Sequence, residues 1–117
     1  MIMDRLKSSL LPLDTVRYLA VLENGKLSTQ AKEGRTDASS SESDRYEELI
    51  VNPTLVKLVG QRGDIDCGGL QYVVIRYGHF FQVVVPTPSG HVSICVEPTG
   101  DPHSVAQLAT EALDESR

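Results

Sequence analysis

The sequence predicts a mixed α/β (α+β) domain. It should contain a five-stranded antiparallel sheet with helices on both faces, in the order α-β-β-α-β-β-β-α. Three apolar segments follow one another between residues 70 and 96 with short connections, which is typical of an antiparallel meander. Residues 72–75 and 80–85 are apolar at nearly consecutive positions, so both faces of the sheet should be covered. The 117 residues suit one domain, 1–117.

The N-terminal part predicts a short helix and a hairpin. Residues 1–11 carry one apolar stripe, and Pro12 ends the helix because the residue before a proline avoids the helical region. The hairpin turn contains Asn24-Gly25, the dipeptide favoured where both central residues need positive φ. The second arm, 27–32, is more polar than the first, which predicts a strand at the edge of the sheet.

Residues 33–44 predict a mobile acidic, serine-rich loop within the domain. The segment has one alanine and no larger apolar residue, so it has nothing to bury. Residues 45–60 then predict a helix that is interrupted at Asn52-Pro53. Proline inside a helix costs about 3 kcal/mol but is tolerated at the first helical position, so Asn52 should cap a second segment. Gly60 should end that segment.

The C-terminal half predicts three strands and a final helix. Residues 61–69 form a glycine-rich connection. The strands that follow cover residues 70–77, 80–85 and 91–96. Residues 101–113 predict an amphipathic helix, with Asp101 as its cap and Pro102 at its first position.

Composition narrows the function classes. Eleven basic and 16 acidic residues give a formal charge of −5, so we expect no nucleic-acid partner. No apolar run reaches the about 18 residues that a membrane span needs, and the N-terminal residues lack the pattern of a secretory signal. Cys67 and Cys95 are too far apart for a disulfide framework. We therefore expect free thiols and a cytoplasmic location.

Chemistry-bearing residues are few. His91, Cys95 and Glu97 lie at alternate positions of one predicted strand and so share a face. A cysteine in mid-strand among valines is typical of an inert thiol, whereas a nucleophile sits at a helix N-terminus or in a polar cleft. The sequence also lacks the closely paired ligands of a structural zinc site. We therefore predict no catalytic residue, metal or cofactor, and a small enzyme built on Cys95 and His91 is the least favoured alternative.

Most of the chain resembles the roadblock/dynein light chain family, which has a profilin-like fold, and the resemblance is densest from residue 55 to residue 113. A helix, a glycine-rich connection, three strands and a closing amphipathic helix carry the resemblance. The strands read Leu70-Gln-Tyr-Val-Val-Ile-Arg-Tyr-Gly, Phe80-Phe-Gln-Val-Val-Val and His91-Val-Ser-Ile-Cys-Val. The chain departs from the family in its short first helix, its long acidic loop and Pro53. Longin-like and PAS-like domains share much of this layout.

The resemblance implies a homodimer. In the family two sheets join through the strand that follows the middle helix, and the middle helices pack together. Here these elements are the 70–77 strand and the 46–59 helix. The implied dimer or partner interface contains Tyr46, Leu49, Val56, Tyr72, Val74 and Arg76. Self-pairing would also protect 70–77 from aggregation if it is an edge strand.

The resemblance further implies a non-catalytic adaptor or regulator rather than an enzyme. It would bind a partner protein, and a small Ras-like GTPase is one candidate. The alternative is a PAS-like sensor of a small ligand. Such a sensor needs a pocket between sheet and helix, which Tyr72, Phe80 and Phe81 would either line or fill.

Overall fold

The computed structural model describes residues 2–32 and 41–115. Its elements confirm the predicted order, with the middle helix divided into three parts. They are α1 (Ile2–Leu10), β1 (Val16–Glu23), β2 (Lys26–Ala31), α2 (Ser41–Tyr46), a π-helical turn (Glu47–Val51), α3 (Asn52–Asp66), β3 (Val73–Arg76), β4 (Phe81–Thr87), β5 (Gly90–Val96) and α4 (Pro102–Glu115). We refer to residues 41–66, which comprise α2, the π-helical turn and α3, as the central helix.

The five strands form one antiparallel sheet in the order β2-β1-β5-β4-β3. Strand β2 lies at one edge, as its polar sequence predicted, and β3 lies at the other. The hairpin turn between β1 and β2 has positive φ at Asn24 (51°) and Gly25 (82°), which confirms the turn predicted from this dipeptide. Strand β5 occupies the middle of the sheet and pairs with both β1 and β4.

Helices cover both faces of the sheet, as predicted, but the two layers differ in chemistry. On one face α1 and α4 pack on apolar side chains of β1, β4 and β5. The largest buried members of this core are Leu6, Leu10, Leu19, Val83 and Ile94. Helix α4 begins as predicted, because the Asp101 carboxylate accepts backbone hydrogen bonds from His103 and Ser104 at 3.0 and 3.4 Å. The central helix covers the other face.

The predicted break at Asn52-Pro53 is wrong. Asn52 has helical dihedral angles (φ −64°, ψ −44°), and the chain continues from Tyr46 through Asn52 without leaving the helical region. The reason is the π-helical turn, in which the Asn52 N–H donates to the Glu47 carbonyl. A proline in a regular α-helix clashes with the carbonyl four residues earlier, and the wider turn in front of Pro53 relieves that clash.

Several boundaries also differ from the prediction. Gly60 does not end the helix, which continues to Asp66 and stops where Gly68 and Gly69 take positive φ. Of the predicted loop 33–44, residues 41–44 are helical, and 33–40 lie outside the described residues. Strand β3 is shorter than the predicted 70–77, and β4 extends two residues beyond 80–85.

Gly90 and Gly60 give a matched test of this fold. A Cβ on Gly90 would lie 1.9 Å from the Leu22 carbonyl oxygen across the β1–β5 pair, so Gly90→Ala should lower the free energy of unfolding by about 1–3 kcal/mol. A Cβ on Gly60 meets no atom within 4 Å, so Gly60→Ala should raise it by about 0.5–1 kcal/mol. Urea denaturation measures both. Destabilisation by Gly60→Ala would contradict a helix that continues past residue 60.

Candidate functional site

An apolar stripe runs along the solvent side of the central helix. Within the described residues, the exposed large apolar side chains are six, and all six belong to this helix. They are Tyr46, Leu49, Ile50, Leu58, Val59 and Ile65, and we call them the outer stripe. Ile65, Tyr46 and Leu58 are 75%, 62% and 61% exposed. The stripe is unusual because apolar positions on a surface helix normally face the core.

The π-helical turn aligns the two ends of this stripe. In a regular α-helix the twelve steps from Tyr46 to Leu58 would place the two side chains roughly 120° apart. A π turn uses one extra residue, which takes back roughly 100°. Ile50, Leu58 and Ile65 follow at spacings of eight and seven residues and therefore share one side of the helix. The turn thus places Tyr46 on the same side as these three residues.

The edge strand β3 lies beside this helix surface. Strand β3 pairs with β4 alone in the sheet, so its other side is an open edge. The hydroxyl of Tyr77, which directly follows β3, donates to Glu47 Oε1 in the π-helical turn at 2.7 Å. This bond ties the end of the open edge to the middle of the central helix. The end of the β3 edge therefore lies next to the π-helical turn.

The structure distributes the six predicted interface residues over three environments. Tyr46 and Leu49 belong to the outer stripe. Val56 is half-buried and lies four residues after the buried Asn52, which places it on the sheet side of the helix. The other three are on or near β3. Tyr72 and Val74 pack against the α1/α4 core, Tyr72 also lies 2.8 Å from His103 Nδ1, and Arg76 covers the ring of Phe81 at 5.0 Å.

The interface predicted from the sequence did not include Ile50, Leu58 and Ile65. The spacing of these residues is visible in the sequence, but the predicted break at Pro53 and the predicted helix end at Gly60 assigned them to separate segments. Ile65 lay in what the sequence predicted to be a loop. A continuous helix over 46–66 would have shown that the apolar residues occupy two sides rather than one.

A buried polar cluster fills the layer between the central helix and the sheet. It consists of Glu48 and Asn52 from the helix, Gln82 from β4, and His91 and Ser93 from β5, all of them buried. Glu48 Oε1 lies 2.8 Å from His91 Nε2 and accepts from Asn52 Nδ2 at 2.9 Å. Gln82 Nε2 donates to Glu48 Oε2 at 3.4 Å and also contacts the Ser93 hydroxyl. A buried carboxylate is costly unless it is hydrogen-bonded in this way.

The Cys95, His91 and Glu97 constellation does not form a nucleophilic triad. His91 is bonded to Glu48, and Glu97 pairs with Arg17 at 2.7 Å. Burial raises the pKa of the Cys95 thiol to about 12, which keeps it protonated and unreactive. Cys67 is exposed at the end of α3, where its Sγ lies 3.3 Å from Arg62 and 3.2 Å from Asp66. Nothing in this arrangement favours the enzyme alternative.

The sensor alternative needs space between sheet and helix, and the polar cluster occupies that layer. Tyr72 and Phe81 pack against the apolar core on the opposite face, and Phe80 lies edge-on to Tyr77 at 5.7 Å between ring centroids. Phe80 and Phe81 therefore act as packing residues, whereas Tyr72 also lines an open cleft beside His103 and Gln107 of α4. The described part of the chain holds no group of three or more His, Cys, Asp or Glu side chains placed to bind a metal.

Within residues 2–32 and 41–115, no helix combines the length and the apolar character that crossing a membrane requires.

Comparisons with known proteins identify the fold. No family model matches the sequence, and no curated protein matches it. Solved structures do match. A roadblock/LC7 domain from Streptomyces avermitilis has a TM-score of 0.72 at 11% identity, over 97% of this chain and 92% of that chain. The gliding protein MglB from Thermus thermophilus has a TM-score of 0.65 at 14% identity, over 97% and 86% of the two chains.

A further MglB structure, described as having a tetrameric arrangement, has a TM-score of 0.58 at 13% identity, over 95% of this chain and 89% of that chain. These likenesses show that the chain has the roadblock/LC7 fold along nearly its whole length. The predicted resemblance is thus confirmed at the level of the fold.

The half-buried Glu47 predicts a specific pH dependence of stability. Burial raises the pKa of Glu47 above its ordinary 4.5, and the nearby Glu48 raises it further, although the Tyr77 hydrogen bond opposes both. Because of this raised pKa, the folded state binds the Glu47 proton more tightly than the unfolded state does. The free energy of unfolding therefore falls as pH rises from about 4.5 through the pKa of the folded state. Glu47→Gln should remove this fall, whereas Glu42→Gln, at an exposed site on α2, should keep it. Urea unfolding at a series of pH values measures the difference, and parallel curves for the two variants would contradict the prediction.

Proposed function

We propose that the protein is a non-catalytic adaptor or regulator of roadblock type that works as a homodimer. The single observation that carries this proposal is the outer stripe, because the exposed large apolar residues of the described chain all lie on one helix. Exposed apolar side chains that are concentrated on one helix, rather than scattered singly over the surface, mark interaction sites. The roadblock/LC7 fold supports the same assignment.

Energetics favour a second copy of the chain as the occupant of the stripe. Fully burying one large aliphatic side chain contributes roughly 1.5–3 kcal/mol, so covering Ile50, Leu58 and Ile65 on both copies supplies a substantial gross driving force. An antiparallel pair of central helices would place each stripe against its own equivalent, which suits the twofold symmetry of most homodimers. A second copy of the chain can therefore bury the outer stripe, and no different complementary surface is required.

The open edge of β3 supports the same mode of association. Its backbone groups face away from β4 without a partner strand in the described part of the chain, and its side chains are apolar up to Arg76. Pairing with β3 of a second copy would join two sheets and remove this edge. Since Tyr77 and Glu47 connect the edge to the central helix, one dimer would bury both surfaces together.

The proposed partner of the dimer is a small Ras-like GTPase in the cytoplasm. This proposal rests on the resemblance to roadblock proteins, which often act beside such GTPases.

Self-association is tested by placing a charge on the stripe. Leu58→Glu should convert the dimer to a folded monomer of 12.8 kDa, because desolvating two carboxylates opposes burial of the stripe. Gln107→Glu introduces the same residue at an exposed site on α4, on the opposite face of the sheet, and should leave the dimer intact. Sedimentation equilibrium at micromolar concentration measures the mass. A wild-type protein that stays at 12.8 kDa would contradict the proposal.

GTPase binding is tested separately. Small Ras-like GTPases from the source organism, loaded with GDP or with a non-hydrolysable GTP analogue, are titrated into the protein by calorimetry. We expect at least one of them to bind with a nucleotide-dependent affinity. Dimerisation without binding to any GTPase in either state would retain the adaptor assignment and reject this class of partner.

A further inference from the structure

We propose that Glu48 is a positioning residue for the interaction surface. Its buried hydrogen bonds fix the rotation of the central helix on the sheet, and so keep the outer stripe pointing outward and in register with the β3 edge. This inference rests on the proposed function in so far as the stripe is a binding surface. How Glu48 holds the central helix on the sheet does not depend on that function.

The seating of the central helix is polar rather than apolar. Among residues 42–66, the fully buried side chains are those of Glu48 and Asn52, which are 1% and 0% exposed. The apolar residues on the inner side of the helix, such as Leu55 and Val56, are only half-buried. On the opposite face of the sheet, by contrast, α4 buries Val105, Ala106, Ala109, Ala112 and Leu113. The central helix therefore lacks the apolar ridge that normally fixes how a helix sits on a sheet.

The bonds of Glu48 supply the missing constraint. Apolar contacts are non-directional and allow a helix to roll, whereas hydrogen bonds require a specific distance and angle. Glu48 reaches two different strands, since Oε1 lies 2.8 Å from His91 on β5 and Oε2 accepts from Gln82 on β4 at 3.4 Å. Contacts with two strands at once restrict both rolling and sliding. Asn52, one helical turn further on, bonds to the same carboxylate at 2.9 Å and keeps the Glu48 side chain in place.

Glu48 lies within the π-helical turn, so its bonds to the sheet also affect how the residues of the outer stripe are aligned. Returning the turn to α-helical geometry would rotate α2 by roughly 100° relative to α3. Tyr46 would then leave the line of Leu58 and Ile65. Glu48 stabilises the arrangement in which the stripe is continuous, because its side chain reaches His91 from this turn.

The test separates positioning from bulk stability with a triple variant. In Glu48→Leu/Asn52→Leu/His91→Leu the Glu48 carboxylate and two of its partners are replaced by apolar side chains, and Gln82 keeps its contact with the Ser93 hydroxyl. Replacing a buried polar group together with its partners in this way is often neutral for stability. We expect a folded protein whose unfolding midpoint in urea stays close to that of the wild type. Its homodimer should be at least about tenfold weaker, and amide exchange over 45–60 should be at least about tenfold faster, with β4, β5 and α4 unchanged.

Glu48→Gln is the conservative variant and Glu42→Gln the surface control. The side-chain carbonyl oxygen that Glu48→Gln retains still accepts from His91 and Asn52, and the Gln82 amide can turn over so that its oxygen accepts from the new amide group and from the Ser93 hydroxyl. This variant should therefore stay within about threefold of the wild type in dimer affinity and in exchange over 45–60. Glu42→Gln should match the wild type. A triple variant that dimerises and exchanges like the wild type overturns the proposal. If the triple variant does not fold, Glu48→Ala decides: faster exchange confined to 45–60 supports the proposal, and exchange that is unchanged, or faster across helix and sheet alike, overturns it.

If the proposed function is wrong, the measurements on the wild-type protein differ from those that would reject the role of Glu48. A wild-type protein that is monomeric at every concentration rejects the dimer. The exchange measurement on that monomer still reports whether Glu48 holds the central helix.

Discussion

Strand β5 lies in the middle of the sheet and has to be covered on both faces, and its alternating side chains set the chemistry of the two layers. Val92, Ile94 and Val96 point into the apolar core under α1 and α4. The residues between them, His91, Ser93 and Cys95, face the central helix. One strand therefore specifies an apolar layer on one face and a largely polar layer on the other.

The polar layer explains why the central helix exposes so many apolar groups. A helix that packs on His91 and Ser93 needs polar residues on its inner side, and Glu48 and Asn52 provide them. Its apolar residues then lie mainly on the outer side, where they form the outer stripe. The outer stripe and the buried cluster thus have the same cause, which is that the polar residues of the central helix lie on its inner side and most of its apolar residues on its outer side. The cost of burying a carboxylate is offset by the hydrogen bonds of three neighbours.

The likeness to roadblock/LC7 structures at 11% and 14% identity shows how little of the fold depends on particular side chains. The fold is retained along nearly the whole chain while most residues differ. A fold does not by itself imply a function, so the proposed adaptor role depends on the stripe and the open edge of β3. The buried Cys95 and the engaged His91 show that chemically capable residues can serve packing instead.

The sequence by itself determined the strands, the first hairpin and the final helix, because their signals are local. Alternation in β5, the Asn24-Gly25 turn and the Asp101 cap each act within a few residues. The β3 edge and the dimer residues came from the family resemblance, and of these Tyr46 and Leu49 lie on the outer stripe.

Only the tertiary structure decided the course of the central helix. The penalty for Pro53 applies to a regular α-helix, and a π turn held by contacts with the sheet avoids it. The partners of Glu48 lie 34 and 43 residues further along the chain, at Gln82 and His91. No local pattern reveals that an acidic residue among Glu47, Glu48 and Asp44 will be buried, because burial depends on which strands the fold brings beneath it.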